Sequence, residues 1–146
     1  MLIAPSFANP LEITPSTLAD AIGADRLALA LVDAVPAGIY AKAALSELGV
    51  WEQLAPNVVQ ADNVRAALAL VALGAAPFGI VYASDAVAEP RVQTLLSIAP
   101  DLHPPITYPA AVLRTAPEAA RAFLTHLRSE AARNTLTANG FTEAPS

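Results

Sequence analysis

Apolar residues along this chain fall into two alternating textures. Arg26-Leu-Ala-Leu-Ala-Leu-Val32 and Phe78-Gly-Ile-Val-Tyr-Ala83 are continuous apolar runs, the form of strands buried on both faces of a parallel sheet. Asn57-Val-Val-Gln60 is a shorter strand-like stretch, and Arg91 to Ile98 has the length of a further strand. Between these runs the spacing changes to that of helices. Thr14-Pro-Ser-Thr-Leu-Ala-Asp-Ala-Ile-Gly23 opens with a Thr N-cap and Pro at the first helical position and stops on Gly, which predicts a short helix. Pro36 to Leu48 reads as a helix closed by Gly49. Asp62 to Gly74 reads as a third, with apolar positions at 64, 67, 68 and 71.

Alternating strands and helices of this kind predict an α/β fold, a parallel doubly wound sheet with helices on both faces. The texture changes after residue 103. His103-Pro-Pro-Ile-Thr-Tyr-Pro109 is an extended, Pro-rich connector, followed by two helical stretches, Pro117 to Leu127 and Ser129 to Asn139, that stop at Gly140 and Phe141. The chain is therefore divided into an α/β unit, residues 1–106, and a connector with C-terminal helices, residues 107–146, that belong to another packing unit.

Composition narrows the functions available. The chain is 55% hydrophobic, yet its longest unbroken run of hydrophobic residues is the eight from Ala66 to Leu73, far short of the ~20 that span a bilayer. The first ten residues have no basic n-region and Pro5 interrupts their apolar run, so they do not read as a signal peptide. A net charge of −5, with eight scattered basic residues of which Lys42 is the sole lysine, excludes the basic footprint of a nucleic-acid binder. The absence of cysteine excludes disulfides, thiolate metal sites and a Cys nucleophile.

Catalytic chemistry is hard to assemble from what remains. His103 precedes a Pro-Pro pair and His126 sits in the polar stretch of an amphipathic helix, and no metal-ligand or nucleophile motif accompanies either. Most acidic residues fall at caps or on solvated faces, so the chain is read as a non-enzyme. Three positions carry more information. Val35-Pro-Ala-Gly38 lies directly between a buried strand and a helix, where first-turn N–H groups lack intrahelical partners and the macrodipole adds positive charge. Ala61-Asp-Asn-Val-Arg65 opens the next helix, with Asp62 or Asn63 as cap and Val64 offering a first-turn N–H. Tyr82 ends an otherwise aliphatic strand, from which its hydroxyl would reach the crevice outside the carboxyl edge of the sheet. Each is also ordinary structural chemistry: helix entry, a plain N-cap, a core aromatic. Taken together they present neutral donors, without Lys or Arg, to a compact oxyanion whose charge then needs no buried countercharge.

The same stretches resemble a known family. Ala34-Val-Pro-Ala-Gly-Ile-Tyr-Ala-Lys42, Leu48-Gly-Val-Trp51, Asp62-Asn-Val-Arg-Ala-Ala-Leu-Ala-Leu-Val71 and Ala76-Pro-Phe-Gly-Ile-Val-Tyr-Ala-Ser-Asp85 are similar to the periplasmic molybdate-binding proteins of ABC-type uptake systems, and His103 to Pro109 and Ala138-Asn-Gly-Phe141 fit that family's C-terminal part. The resemblance runs from about residue 1 to 143. It implies one lobe of a type 2 periplasmic-binding-protein fold, closing with a second lobe on tetrahedral molybdate or tungstate, with no cofactor, an ABC permease as partner and a periplasmic location. Carried over residue by residue, it assigns backbone N–H donors to Ala37 and Val64 and a hydroxyl donor to Tyr82.

Two departures accompany the resemblance. The family's N-terminal lobe, with its signal peptide and two Ser ligands, has no counterpart here, so the chain is expected to be truncated, with residues 1–5 matching a hinge strand and the C-terminal helices lacking the lobe on which they would pack. Those helices would then favour a homodimer. Leu31-Val32 also stands where the family's strand ends in Asp-Pro or Asn-Pro, which alters the path into the Ala37 turn. An alternative of another class is a protein–protein interaction module or self-associating lobe with no independent ligand binding. An enzyme holding a phosphorylated metabolite on the same helix starts lacks an acid–base pair.

Overall fold

The computed structural model describes residues 1–142, and the chain divides into two compact units, Met1–Pro105 and Ile106–Ser146. In the first unit five strands form one sheet: β1 (Leu2–Pro5), β2 (Leu27–Ala30), β3 (Val58–Ala61), β4 (Phe78–Ile80) and β5 (Val92–Leu96), in the order β3-β2-β4-β1-β5. β2 runs parallel to both β3 and β4, whereas β1 is antiparallel to β4 and β5. The parallel sheet read from the sequence is present in β3-β2-β4, and the pairings of β1 make the whole sheet mixed. Four strands share a direction and β1 opposes them, a pairing that needs no crossover between β1 and its neighbours β4 and β5.

Alternation along the central strands explains why they read as unbroken apolar runs. Leu27 and Leu29 of β2 join Leu2 and Ala4 of β1, together with Phe78 and Ile80 of β4, in a core on one face. Ala28 and Ile3 face the other way, into a core with Ala67, Val71, Ala76, Val81 and Val92. Both faces are covered. The first core is roofed by α1 (Leu18–Ile22), α2 (Pro36–Glu47) and α3 (Trp51–Leu54), and the second by α4 (Val64–Ala72), with Ala86 of α5 (Ala83–Ala88) at its margin. Small residues allow these layers to approach. A Cβ at Gly79 would stand 2.7 Å from Cγ2 of Val71, so α4 packs on β4 where glycine leaves room.

Element ends differ from the sequence reading in two places. The first helix begins at Leu18 with Thr17 as N-cap, three residues beyond the Thr14 expected to cap it. Thr14 instead sits in a hydroxyl cluster: its N–H donates to Thr17 Oγ1 at 3.0 Å and its Oγ1 lies 3.0 Å from Ser16 Oγ. This local turn competes with helix formation, as Ser and Thr commonly do. The apolar run from Phe78 also ends as a strand at Ile80, and Tyr82 is the N-cap of α5. Tyr82 is therefore a residue that opens a helix, and the strand end expected there is corrected. Asp85 explains the switch, since its carboxylate accepts the Tyr82 N–H at 3.2 Å and holds the chain in a helix start.

In the second unit α6 (Glu118–His126) and α7 (Glu130–Ala138) are joined by a tight turn in which Ser129 caps α7, its Oγ accepting from the Ala132 N–H at 3.2 Å. Gly140, at φ +83°, closes α7: Phe141 N–H reaches Leu136 O and Gly140 N–H reaches Thr137 O, the paired bonds of a Schellman stop. Phe141 then meets Tyr108 edge-on, with centroids 5.6 Å apart.

Candidate functional site

The order β3-β2-β4 decides where the three sequence candidates fall. α2 follows β2, α4 follows β3 and α5 follows β4, and these three strands are parallel neighbours. The helix starts bearing Ala37, Val64 and Tyr82 therefore lie side by side along one carboxyl edge, with strands ~4.8 Å apart. That edge is where open α/β sheets receive ligands.

Each start is built differently. The N-cap of α2 is Val35, extended at φ −106° and ψ 130°, with no side chain able to accept from the first turn. Pro36 contributes no N–H, and the first bond of the helix is Ile39 N–H to Val35 O at 2.9 Å. Between them the N–H groups of Ala37 and Gly38 occupy first-turn positions that have no acceptor within the helix. Both residues are buried. A Cβ at position 38 would overlap the carbonyl oxygens of Ala30 and Leu31 and stand 2.7 Å from the Leu31 carbonyl carbon. The start of α2 is thus pressed against the end of its own strand, and position 38 admits only glycine.

The path into that turn is fixed without the Asp-Pro or Asn-Pro of the family pattern. Leu31 N–H donates to Ala61 O at 2.9 Å, and Val32 N–H donates to Oε1 of Gln60 at 2.9 Å. Ala34 and Val35 N–H groups then close back on Leu31 O. Gln60, on the edge strand β3, was not picked out by sequence reasoning. The signal available was a lone amide in an otherwise apolar strand, which does not reveal its partner 28 residues away.

At α4 the cap is Asn63, extended at φ −158° and ψ 169°, with its side chain accepting from Ala66 N–H at 2.9 Å. Val64 is half-buried as the first helical residue, so its N–H points out of the helix start while Asn63 serves the third position. Tyr82, half-buried, heads α5, and Asp85 in the first turn accepts its backbone N–H. Burial raises the Asp85 carboxyl above its usual range, against the opposing pull of the Tyr82 N–H and then of the Arg65 charge. The sequence reading places no Lys or Arg at this edge, and Arg65 lies close enough to act on Asp85. Arg65 adjoins Val64 and acts on Asp85, a relation hidden in sequence because the two belong to helices that meet only in the fold. Among the described residues no group of three or more His, Asp or Glu side chains could hold a metal ion.

The mixed α/β sheet with successive helix starts along one carboxyl edge has the type 2 periplasmic-binding-protein fold. The chain belongs to the family described as bacterial extracellular solute-binding protein, which matches residues 1–142. It is 44% identical over 118 residues to the molybdate-binding protein ModA of Escherichia coli, covering 80% of this chain and 46% of that protein. To the molybdate-binding protein ModA of Haemophilus influenzae it is 36% identical over 144 residues, covering 97% of this chain and 57% of the other. Among solved structures, a substrate-binding domain from Clostridium difficile assigned to a molybdenum ABC transporter superposes with a TM-score of 0.83 at 28% identity, over 99% of this chain and 62% of that one. The periplasmic molybdate-binding protein of Azotobacter vinelandii shares the fold with a TM-score of 0.75 at 21% identity, over 99% and 65%. The chain spans about half the length of the curated relatives it matches.

Proposed function

We propose that this chain is one lobe of the substrate-binding component of an ABC-type molybdate importer, working in the periplasm and delivering its ligand to a membrane permease. Met1–Pro105 is the lobe, and the helices of the second unit are those that dock on the partner lobe of a complete protein. The tetrahedral anion rests on the backbone N–H groups of Ala37 and Val64 and on the Tyr82 hydroxyl. A second lobe, for which the greater length of the relatives leaves room, supplies the remaining donors. Binding of this kind needs no catalytic group and no cofactor.

The observation that carries this reading is the strand order, which sets three helix starts abreast, with Val35 as a cap that leaves the Ala37 and Gly38 N–H groups to an outside acceptor. That two relatives are named as molybdate-binding proteins supports molybdate as the anion. Molybdate and tungstate are nearly isosteric dianions, and this set of neutral donors suits both.

Titration calorimetry of the 146-residue chain with molybdate, tungstate and sulfate tests the proposal. Each hydrogen bond to a charged group is worth about 1.5–3 kcal/mol, so a half-complete shell predicts dissociation constants of ~1 mM or weaker, with molybdate and tungstate alike. Sub-micromolar binding by the monomeric chain would overturn the half-shell arrangement, and indifference to all three anions at tens of millimolar would overturn the site. A second reading is an interaction or self-associating module without its own ligand, for which the exposed Leu113, Phe123 and Leu136 of the second unit would be the contact. It predicts association with no anion dependence.

A further inference from the structure

Two residues that the anion site does not use meet in the first unit. Tyr40, from the Val-Pro-Ala-Gly-Ile-Tyr stretch, packs its ring against that of His103, from the His-Pro-Pro stretch, with centroids 6.0 Å apart and planes inclined by 47°. Both residues are half-buried. Tyr40 lies three residues after Ala37, one turn along the same side of α2. His103 follows the short 3-10 turn Pro100–Leu102 and is extended, at φ −149° and ψ 160°.

His103 is also the last residue before a stiff segment. Pro104 and Pro105 have φ held near −65°, and a residue before proline is confined to extended backbone. A stiff stretch of chain pivots at its base rather than along its length. At that base the His103 ring is held twice. It lies against Tyr40, and its Nδ1 is 2.9 Å from Pro104 O. A carbonyl oxygen only accepts, so Nδ1 carries the proton in this arrangement.

We propose that Tyr40 is a positioning residue for the connector: its ring pins His103 and so sets the direction in which Pro104-Pro105 leaves the first unit, tying that exit to the helix whose start bears Ala37. The inference goes beyond the oxyanion reading and stands without it, since neither ring belongs to the donor set. Aromatic pairs contribute beyond the area they bury through ring geometry, and no hydrogen bond to the Tyr40 hydroxyl enters the argument. The ring is what matters.

Backbone 15N relaxation of the intact 146-residue chain tests this, with Tyr40→Phe, Tyr40→Ala and His103→Ala compared. The amide at position 103 should have an order parameter near ~0.85 in the wild type and in Tyr40→Phe, and below ~0.6 in both alanine variants. Ring-to-ring nuclear Overhauser effects between positions 40 and 103 should survive only in Tyr40→Phe. An order parameter unchanged in both alanine variants would overturn the proposal, as would Tyr40→Phe behaving like Tyr40→Ala, which would assign the effect to the hydroxyl. Should Tyr40→Ala lower the melting temperature of the whole unit, His103→Ala decides, because it removes the pinned ring without touching α2. Anion titrations play no part, so failure here and failure of the oxyanion reading are separate results.

Discussion

Gly38 sits directly against the carbonyl oxygen of Ala30, so closely that a Cβ at position 38 would overlap it. The first turn of α2 is seated on the end of β2, and the seat is backbone on both sides. Neither partner can yield by rotating a side chain. Gly38→Ala should therefore destabilise the chain by roughly 1–3 kcal/mol through overpacking and displace the Ala37 N–H as α2 backs away. Thermal melts check the first effect, and amide chemical shifts at positions 37–39 the second. Gly49→Ala is the control: its Cβ would meet nothing within 4 Å, so only the φ of +71° is at issue, a cost of about 1–2 kcal/mol without any shift at Ala37.

Gln60 makes the neighbouring prediction. Its side-chain oxygen is the acceptor for the N–H of the buried Val32, and leaving such a donor unpaired costs about 1–3 kcal/mol. Gln60→Ala should lower the melting temperature accordingly and loosen residues 31–35. Gln60→Glu keeps an acceptor and should retain most of the stability. Equal melts for wild type and Gln60→Ala would mean that water or a backbone shift replaces the bond.

Much of this architecture is legible in the sequence, and the failures share a cause. Leu27, Ala28 and Leu29 read as a doubly buried strand because both faces of β2 are covered. Pro36 and Gly49 mark the ends of α2 because proline and glycine have fixed roles at those positions. The Val35-Pro-Ala-Gly38 and Asn63-Val64 starts are local signals, and the strand order brings them to one edge. What sequence could not show depends on distant partners. The antiparallel β1, the Gln60 bond to Val32 and the Arg65 influence on Asp85 each join segments with no shared local pattern. Tyr82 was misplaced as a strand end for a different reason. Phe78 to Ala83 is apolar throughout, and the stop signal, Asp85, lies beyond the run.

Asp85 gives a pH-dependent expectation. Burial is the dominant cause and raises its carboxyl above the ordinary 3.8, so the native state favours the neutral acid more than the unfolded chain does. Below 3.8 both states are protonated and there is no penalty. As pH rises through the raised value the folded protein must bury a charge, and stability falls. Asp85→Asn keeps an oxygen to accept the Tyr82 N–H but carries no charge. It should melt higher than wild type at neutral pH, with the gap closing as the solution is acidified toward pH 4. A gap of opposite sign at neutral pH would show that attraction to Arg65 outweighs burial.

The second unit carries Leu113, Phe123 and Leu136 at 75%, 62% and 41% exposure. Apolar side chains of this size rarely stay solvated together, and the chain on its own should associate through residues 110–140. Light scattering at increasing concentration should show a dimer or larger species. Phe123→Ser combined with Leu136→Ser should return it to a monomer without changing the melt of the first unit. A monodisperse wild-type monomer at high concentration would count against association through this tail.

The donor assigned to α4 can be tested by a substitution that removes an N–H and little else, in a two-lobed protein made by joining this chain to the N-terminal half of a relative. Val64 is the first residue of α4, where proline is compatible with the helix because that N–H has no intrahelical partner. Asn63 is already extended at φ −158° and ψ 169°, the conformation that a following proline demands. Val64→Pro should therefore fold, yet lose about ten-fold or more in molybdate affinity, the size of one hydrogen bond to a charged group. Val64→Ala trims the side chain and keeps the N–H, so its affinity should stay within a factor of about two of wild type. Tyr82→Phe deletes the hydroxyl alone and should also weaken binding about ten-fold. Calorimetry beside thermal melts makes the comparison, with proline against alanine at position 64 as the deciding pair. If the two variants are equally folded and bind molybdate equally well, the anion does not rest on the start of α4.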